Sequence, residues 1–353
     1  MHFQPDYHHM LDVLKNRRPA RLPLYEHIIS PEIMERILGV EFAGLANGDD
    51  SDLREFFRHY CRFFREMTYD TISFEVSIIE ILPDHGAISG GRPGPIQNRE
   101  DFDKYPWDEL PQRFKNVAAR QFEILAACLP HGMKAIGGVA NGVLEISEDL
   151  VGLEYLGYMM ADDPELFSAL FRKIGDLMFE LWGVFLDRYA EAFPICRFGD
   201  DLGFKTNTLV SPQIIREHII PQYRRVIGLV HSSGRPFLWH SCGNIFGVME
   251  DMIEVGINAK HSNEDNIAPF DEWISLYGDR IGLLGGFDLN FLCSKTPEEI
   301  FAGVVELGQM FRQQAKGYAL GSGNSIPEYI PVESYMAMLN AAQQIRQNEI
   351  NTD

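Results

Sequence analysis

Short apolar runs rich in β-branched and aromatic residues alternate along this chain with longer segments in which apolar positions recur every three to four residues. Eight runs read as strands: 22–27, 70–75, 133–139, 195–200, 236–241, 257–262, 281–287 and 317–321. The helical periodicity falls between them, at 51–67, 114–128, 164–189, 212–231, 246–255, 269–276, 297–314 and 331–347. Proline at or near several of these starts, as at Pro164, Pro212 and Pro297, suits a first helical turn. The alternation runs from end to end without a linker. Parallel crossovers need covering helices, and eight strands just fill their own interior, so the pattern predicts an α/β chain folded as one closed (β/α)8 TIM barrel across 1–353. An open doubly wound sheet is the alternative. The segment 81–111, rich in Gly and Pro, reads as a loop excursion over the barrel mouth or as a plain surface loop.

Composition narrows the class. With 353 residues, 45% hydrophobic, 12% aromatic and 23% charged, the chain can bury a large core, which excludes a disordered or fibrous protein. Fifty-one acidic against 31 basic residues give a formal charge of −20. That charge would repel a phosphate backbone, so nucleic acid is not an expected partner. No window supplies the ~18 uncharged apolar residues of a membrane span, and the first residues lack the basic and apolar pattern of a secretory signal. A cytoplasmic protein with no membrane partner is therefore expected. Five scattered cysteines do not make a disulfide framework, so any special cysteine is a thiol or a ligand.

Reactive side chains cluster at the predicted C-terminal ends of strands, where barrel enzymes place their active sites. His240 and Cys242 are two apart and point the same way from an extended strand end; imidazole and thiolate together suit Zn²⁺. A buried thiol beside a satisfied histidine is the bland reading. His261 stands one strand further on, and Asp200, Asp201 and Asp288 share the same rim. Each carboxylate has an alternative task as a helix cap or loop acceptor; of the adjacent pair, one member is expected in the mouth and the other as a cap. The turn Gly321-Ser322-Gly323-Asn324-Ser325 lets a substrate approach the backbone, with Ser322 and Asn324 as contacts.

Gly199-Asp200-Asp201-Leu202-Gly203-Phe204, Ser211-Pro212, Pro221-Gln222-Tyr223-Arg224-Arg225 and His240-Ser241-Cys242-Gly243-Asn244 follow one another at the spacing of a known family. Asp279-Arg280, Gly285-Gly286-Phe287-Asp288 and Tyr318 to Asn324 continue the match. The sequence resembles the uroporphyrinogen decarboxylase superfamily, a (β/α)8 barrel family, over most of the chain after about residue 130. True decarboxylases carry an arginine-bearing segment near the N-terminus and a histidine in the last turn. Here the corresponding positions read Arg21-Leu22-Pro23-Leu24-Tyr25-Glu26-His27 and Ser322, which argues against porphyrinogen decarboxylation. The resemblance is closer to the corrinoid-linked methyltransferases, including the methylcobamide:coenzyme M enzymes, which hold zinc with a His-x-Cys pair and a distant Cys. His240 and Cys242 match the pair, and Ser322 replaces the distant Cys.

The resemblance therefore implies zinc, a cobamide carried on a partner corrinoid protein, and a small methyl donor or acceptor. His261 is the first candidate for the third ligand, followed by Glu145 and Asp288; Glu145 is otherwise a substrate contact. Asp200 or Asp201 would orient substrate or act as a base. Two alternatives stay open: a metal-independent decarboxylase or lyase with Asp70 or Asp288 as an electrostatic anchor, and a non-catalytic binding barrel.

Overall fold

The computed structural model describes residues 3–350. Seven parallel strands form one curled sheet in sequence order: β1 (Thr71–Ser77), β2 (Lys134–Ala140), β3 (Ile195–Gly199), β4 (Phe237–His240), β5 (Ala259–His261), β6 (Gly282–Phe287) and β7 (Tyr318–Ser322). The eighth expected strand, 22–27, does not form. That segment meets β7 in a single parallel bridge, Leu24 with Leu320, and meets β1 through the Ser73 hydroxyl, which donates to the Glu26 carbonyl. Two local features explain the deficit. Pro23 has no N–H to donate, and the Ser73 carbonyl is taken by the Tyr60 hydroxyl at 2.7 Å rather than by a neighbouring strand. Gly321 is required at the bridge, since a Cβ there would lie 1.8 Å from the Tyr25 carbonyl oxygen.

Two cores follow from the alternation of side chains along each strand. Inside the curl, Ile136, Ile195, Leu238, Ala259, Leu284 and Ala319 pack with Tyr25, and Met10, Val13 and Leu14 of the helix His8–Leu14 pack with the same cluster. Outside it, residues such as Phe198, Trp239 and Leu283 pack beneath the helices.

Among the expected helices, Pro297–Gln314 forms over the full predicted span, and Pro164–Arg188 stops one residue short of it. The expected 212–231 helix is interrupted by a π-turn, Ile215–Ile219, before Ile220–Ser232, because Pro221 cannot donate the next helical hydrogen bond. Helices outside the predicted spans include His8–Leu14, Pro31–Leu38 and Leu289–Ser294, and also Val143–Val151 and Leu153–Asp162 between β2 and the helix Pro164–Arg188. The 81–111 segment packs onto Val143–Val151. The Gly94 and Ile96 amides donate to the Val151 and Leu150 carbonyls, and Asp149 accepts from the Gly86 amide at 2.7 Å. No helix among the described residues is long and apolar enough to cross a membrane.

Candidate functional site

The interior residues one step beyond the apolar layer form the site. Leu238 and Ala259 are paired across β4 and β5; two positions on, His240 and His261 are paired in the same register and point the same way. The residues between them face outward. The Lys260 ammonium donates to the Ser262 carbonyl and lies 4.0 Å from the Trp273 ring, and burial pushes its pKa down to about 7. On β3 the residue above Ile195 is Arg197, fully buried, which donates to Glu75 at 2.9 and 2.7 Å, to the Tyr25 hydroxyl and to the His27 carbonyl. This clamp fixes His27, whose ring stacks on His240 at 3.7 Å and 8°.

Hydrogen bonding determines which nitrogen of His240 is free. His261 Nε2 lies 3.0 Å from the Ser322 carbonyl oxygen, which can only accept, so that nitrogen carries a proton. Burial holds the His261 pKa down at about 3, so the ring is neutral and its Nδ1 is an acceptor. His240 Nδ1, 2.8 Å away, must then carry a proton. Burial likewise keeps His240 neutral, which leaves Nε2 as an unprotonated lone pair. That lone pair faces the Cys242 sulfur at 3.4 Å. His261 thus orients His240 and has neither nitrogen directed at Cys242.

The third donor at this end is Asp201. Its Oδ1 lies 3.9 Å from His240 Nε2 and accepts the Cys242 amide at 2.9 Å. His240, Cys242 and Asp201 bring their ligand atoms within 4.8 Å of one another; His27, His240 and His261 form a second such group, but its hydrogen bonds already occupy His240 Nδ1 and both nitrogens of His261. Tetrahedral zinc, with bonds of about 2.0 Å to nitrogen and 2.3 Å to sulfur, separates those donors by about 3.5 Å, close to the distance found, and Asp201 would need to approach by about 0.5 Å. The donor set fits zinc. Asp201 keeps 45% of its side chain exposed, so the site is open on the mouth side. Burial, and next the Asp201 charge, push the Cys242 thiol up, so only a cation would bring it to thiolate near neutral pH.

Two glycines allow the loops bearing these donors to cross. A Cβ on Gly243, at φ 79°, would stand 2.2 Å from the Gly203 carbonyl carbon, and one on Gly203 would meet the Cys242 carbonyl at 2.7 Å. The Asn244 amide donates to the Phe204 carbonyl, and the Leu202 amide to the Ser241 hydroxyl.

The other expected residues separate by task. Asp200 is fully buried and accepts from the Leu144 and Glu145 amides at 2.9 and 2.8 Å and from the Tyr223 hydroxyl. It caps the helix Val143–Val151, while its neighbour Asp201 faces the mouth. Asp288 caps the helix Leu289–Ser294 and accepts the Asp265 amide at 2.8 Å, which accounts for both its oxygens. Glu145 accepts from the Asn141 amide at 3.0 Å and the Asp201 amide at 3.2 Å; burial, then Asp200 and Asp201, hold its pKa well above the usual carboxylate range. Asn324 donates to the Cys242 sulfur at 3.2 Å, and Ser262 donates to it at 3.6 Å.

The Ser322 hydroxyl contacts Glu26 and the Asn324 carbonyl rather than Cys242. One hydroxyl proton cannot serve both acceptors, so Glu26 supplies a second proton, in keeping with burial pushing its pKa up to about 8. His27, Glu26, Arg197 and Glu148 were not singled out from the sequence. His27 ends the predicted 22–27 strand, so the strand-end rule that picked His240 also pointed to it.

A model of the family described as uroporphyrinogen decarboxylase (URO-D) matches residues 92–345. This chain belongs to the URO-D family. The match begins well before residue 130, and so takes in the 81–111 segment in part. A methyltransferase from Methanosarcina mazei is similar in fold, with a TM-score of 0.73 at 16% identity over 95% of this chain and 97% of that one. A glycoside hydrolase family 5 enzyme from Prevotella bryantii (TM-score 0.44, 11% identity, 81% and 86% covered) and a xylose isomerase-like TIM barrel protein from Mycobacterium smegmatis (0.44, 8%, 95% and 99%) are far looser matches. No curated protein matches the chain in sequence.

Proposed function

We propose that this URO-D family member is a methyltransferase that works with a corrinoid protein, moving a methyl group between a small molecule and a cobamide held by that partner. The observation that carries the reading is the His240 Nε2 lone pair, oriented through His261 and the Ser322 carbonyl, meeting the Cys242 sulfur and the Asp201 carboxylate at the open end of the curled sheet. Those three residues would hold zinc, which when bound lowers the pKa of a coordinated thiol or makes a bound ether oxygen a better leaving group. His261, first in line as a ligand on sequence grounds, acts in this reading as the partner that fixes the ligand histidine. Asn324 and Ser262, both donors to the Cys242 sulfur, hold it in place and moderate its charge.

Asp201 has a second task. Its half-exposed carboxylate is the group best placed to receive a proton from an incoming thiol, because Asp200 is committed to its cap and Asp288 to a different helix. The fold likeness to the Methanosarcina methyltransferase supports the class of reaction.

The test incubates the zinc-supplemented protein with methylcobalamin and a panel of thiols, and in reverse with cob(I)alamin and methoxylated aromatics, while following the cobalt absorbance. Turnover that needs His240 and Cys242 is the expected result, with uroporphyrinogen left unchanged. Porphyrinogen decarboxylation without any response to a corrinoid would overturn the proposal.

A further inference from the structure

Side-chain hydrogen bonds pass from strand end to strand end around the mouth and lead to Asp201. The path starts at Ser77, the last residue of β1, whose hydroxyl accepts from the Glu80 amide at 3.4 Å and donates to Asn141 Oδ1 at 2.7 Å. Asn141 follows β2 directly and has φ 69°, a left-handed conformation that asparagine adopts more readily than most side chains. Its Oδ1 also accepts the Ile79 amide at 3.4 Å, and its Nδ2 donates to Glu145 Oε2 at 3.0 Å. This amide has one workable orientation. Turned over, it would set its NH2 against the Ile79 N–H and its oxygen against the Glu145 carboxyl.

With Oε2 held by Asn141, Glu145 presents Oε1 to the Asp201 amide at 3.2 Å, and Asp201 Oδ1 accepts the Cys242 amide at 2.9 Å. The neighbours of Asp201 are fixed from elsewhere. Asp200 is held by its cap and by donating its amide to the His240 carbonyl, and Leu202 by donating to the Ser241 hydroxyl. With 45% of its side chain exposed, Asp201 is confined little by packing, so these two hydrogen bonds set where its carboxylate sits.

The three donors beside the open end differ in how they are placed. His240 ends β4 and Cys242 follows two residues later, so sheet register places both. Asp201 lies beyond the end of β3, and its reach toward His240 Nε2, now 3.9 Å, depends on a contact from the helix Val143–Val151.

We infer that Glu145, oriented by Asn141, is the positioning residue that holds Asp201 against Cys242. This deepens the proposed function, and its bearing on zinc rests on the reading of Asp201 as the third donor. Carboxylates that bind metals are themselves held by outer hydrogen-bonding partners, whose loss costs about 10–100-fold in affinity. Glu145, a candidate ligand or substrate contact on sequence grounds, acts here through Asp201.

Two measurements on the full-length protein test this. Amide hydrogen exchange of the metal-free protein reads the hydrogen bonds, and titration with Co²⁺, followed by visible absorption, reads the metal site. Glu145→Ala should lower protection of the Asp201 and Cys242 amides at least tenfold and weaken Co²⁺ binding about 10–100-fold. Asn141→Gly, which keeps the left-handed backbone, should lower protection at least threefold. Glu145→Gln retains an oxygen for the Asp201 amide and should restore both readings to within a few-fold of wild type. Asp149→Ala is the control for a general weakening of the helix, since it removes the acceptor of the Gly86 and Ile88 amides; both readings should stay within twofold of wild type. Unchanged protection in Glu145→Ala, a glutamine variant as weak as the alanine one, or an equal loss in Asp149→Ala would each overturn the inference, as would lost protection with Co²⁺ affinity unchanged. If Glu145→Ala does not fold, unchanged protection in Asn141→Gly overturns it alone. A wild type that takes up no Co²⁺ would sink the metal reading, while the exchange rates still decide whether Glu145 and Asn141 position Asp201.

Discussion

Replacing His261 by leucine removes both ends of the relay that sets His240. His240 Nδ1–H then has no acceptor, and the Ser322 carbonyl has no donor, each within a fully or nearly fully buried environment. Two orphaned groups at ~1–3 kcal/mol each predict a stability loss of about 3 kcal/mol, which a chain of this size should survive. The more specific effect is on the neutral His240 ring. With Nδ1 unable to donate, the ring favours the tautomer protonated at Nε2, which withdraws the lone pair from Cys242 and Asp201. Loss of a partner that orients a metal-binding histidine costs about 10–100-fold in metal affinity, or roughly 1.4–2.7 kcal/mol. Glutamine is the control, because its carbonyl oxygen can accept from His240 while its amide donates to Ser322. Zinc affinity would be measured by competition with a chelator, and the His240 tautomer by ¹⁵N NMR. The expected order is wild type, then His261→Gln within a few-fold, then His261→Leu at least tenfold weaker. A folded His261→Leu protein that holds zinc as tightly as wild type, or a glutamine variant as weak as the leucine one, would refute the relay.

Two further outcomes follow from the buried carboxyls. Asp200→Asn leaves one acceptor oxygen where a carboxylate took three hydrogen bonds, and turns an NH2 toward main-chain donors, so the denaturant midpoint should fall by the equivalent of ~1–3 kcal/mol; an unchanged midpoint would remove the capping role. Glu26 gives a pH signature: an unfolded glutamate loses its proton near 4.5, whereas burial keeps the proton on Glu26 up to about 8. The folded state therefore binds more protons between those values, and stability should decline as pH rises through that window. Urea melts from pH 5 to 8 should show a steeper decline for wild type than for Glu26→Gln, and parallel curves would contradict the assignment.

Much of the curled parallel sheet was legible because buried parallel strands and covering helices have different periods, and seven of the eight expected strands appear close to their predicted places. The eighth failed for reasons periodicity does not carry: a proline in the segment and a tyrosine hydroxyl occupying the Ser73 carbonyl. The helices Val143–Val151 and Leu153–Asp162 were missed although their sequence is apolar enough, because Gly152 divides them and the first depends on a cap from Asp200, 56 residues away from Leu144. The site was legible at His240, Cys242 and the Asp200-Asp201 pair. What the sequence could not assign was the division of labour. In the proposed zinc site His261 and Asp201 would exchange the parts expected of ligand and helper, because register, visible only in the folded sheet, sets His261 directly beside His240 and turns its second nitrogen to the Ser322 carbonyl.

Elemental analysis of protein produced in zinc-replete medium shows whether His240, Cys242 and Asp201 hold one zinc ion, as proposed. Wild type should carry close to one zinc per chain, His240→Ala and Cys242→Ser should carry little, and Asp201→Asn should bind it more weakly while still folding. The same zinc content in all four proteins, or none in the wild type, would mean that these three residues do not form a zinc site.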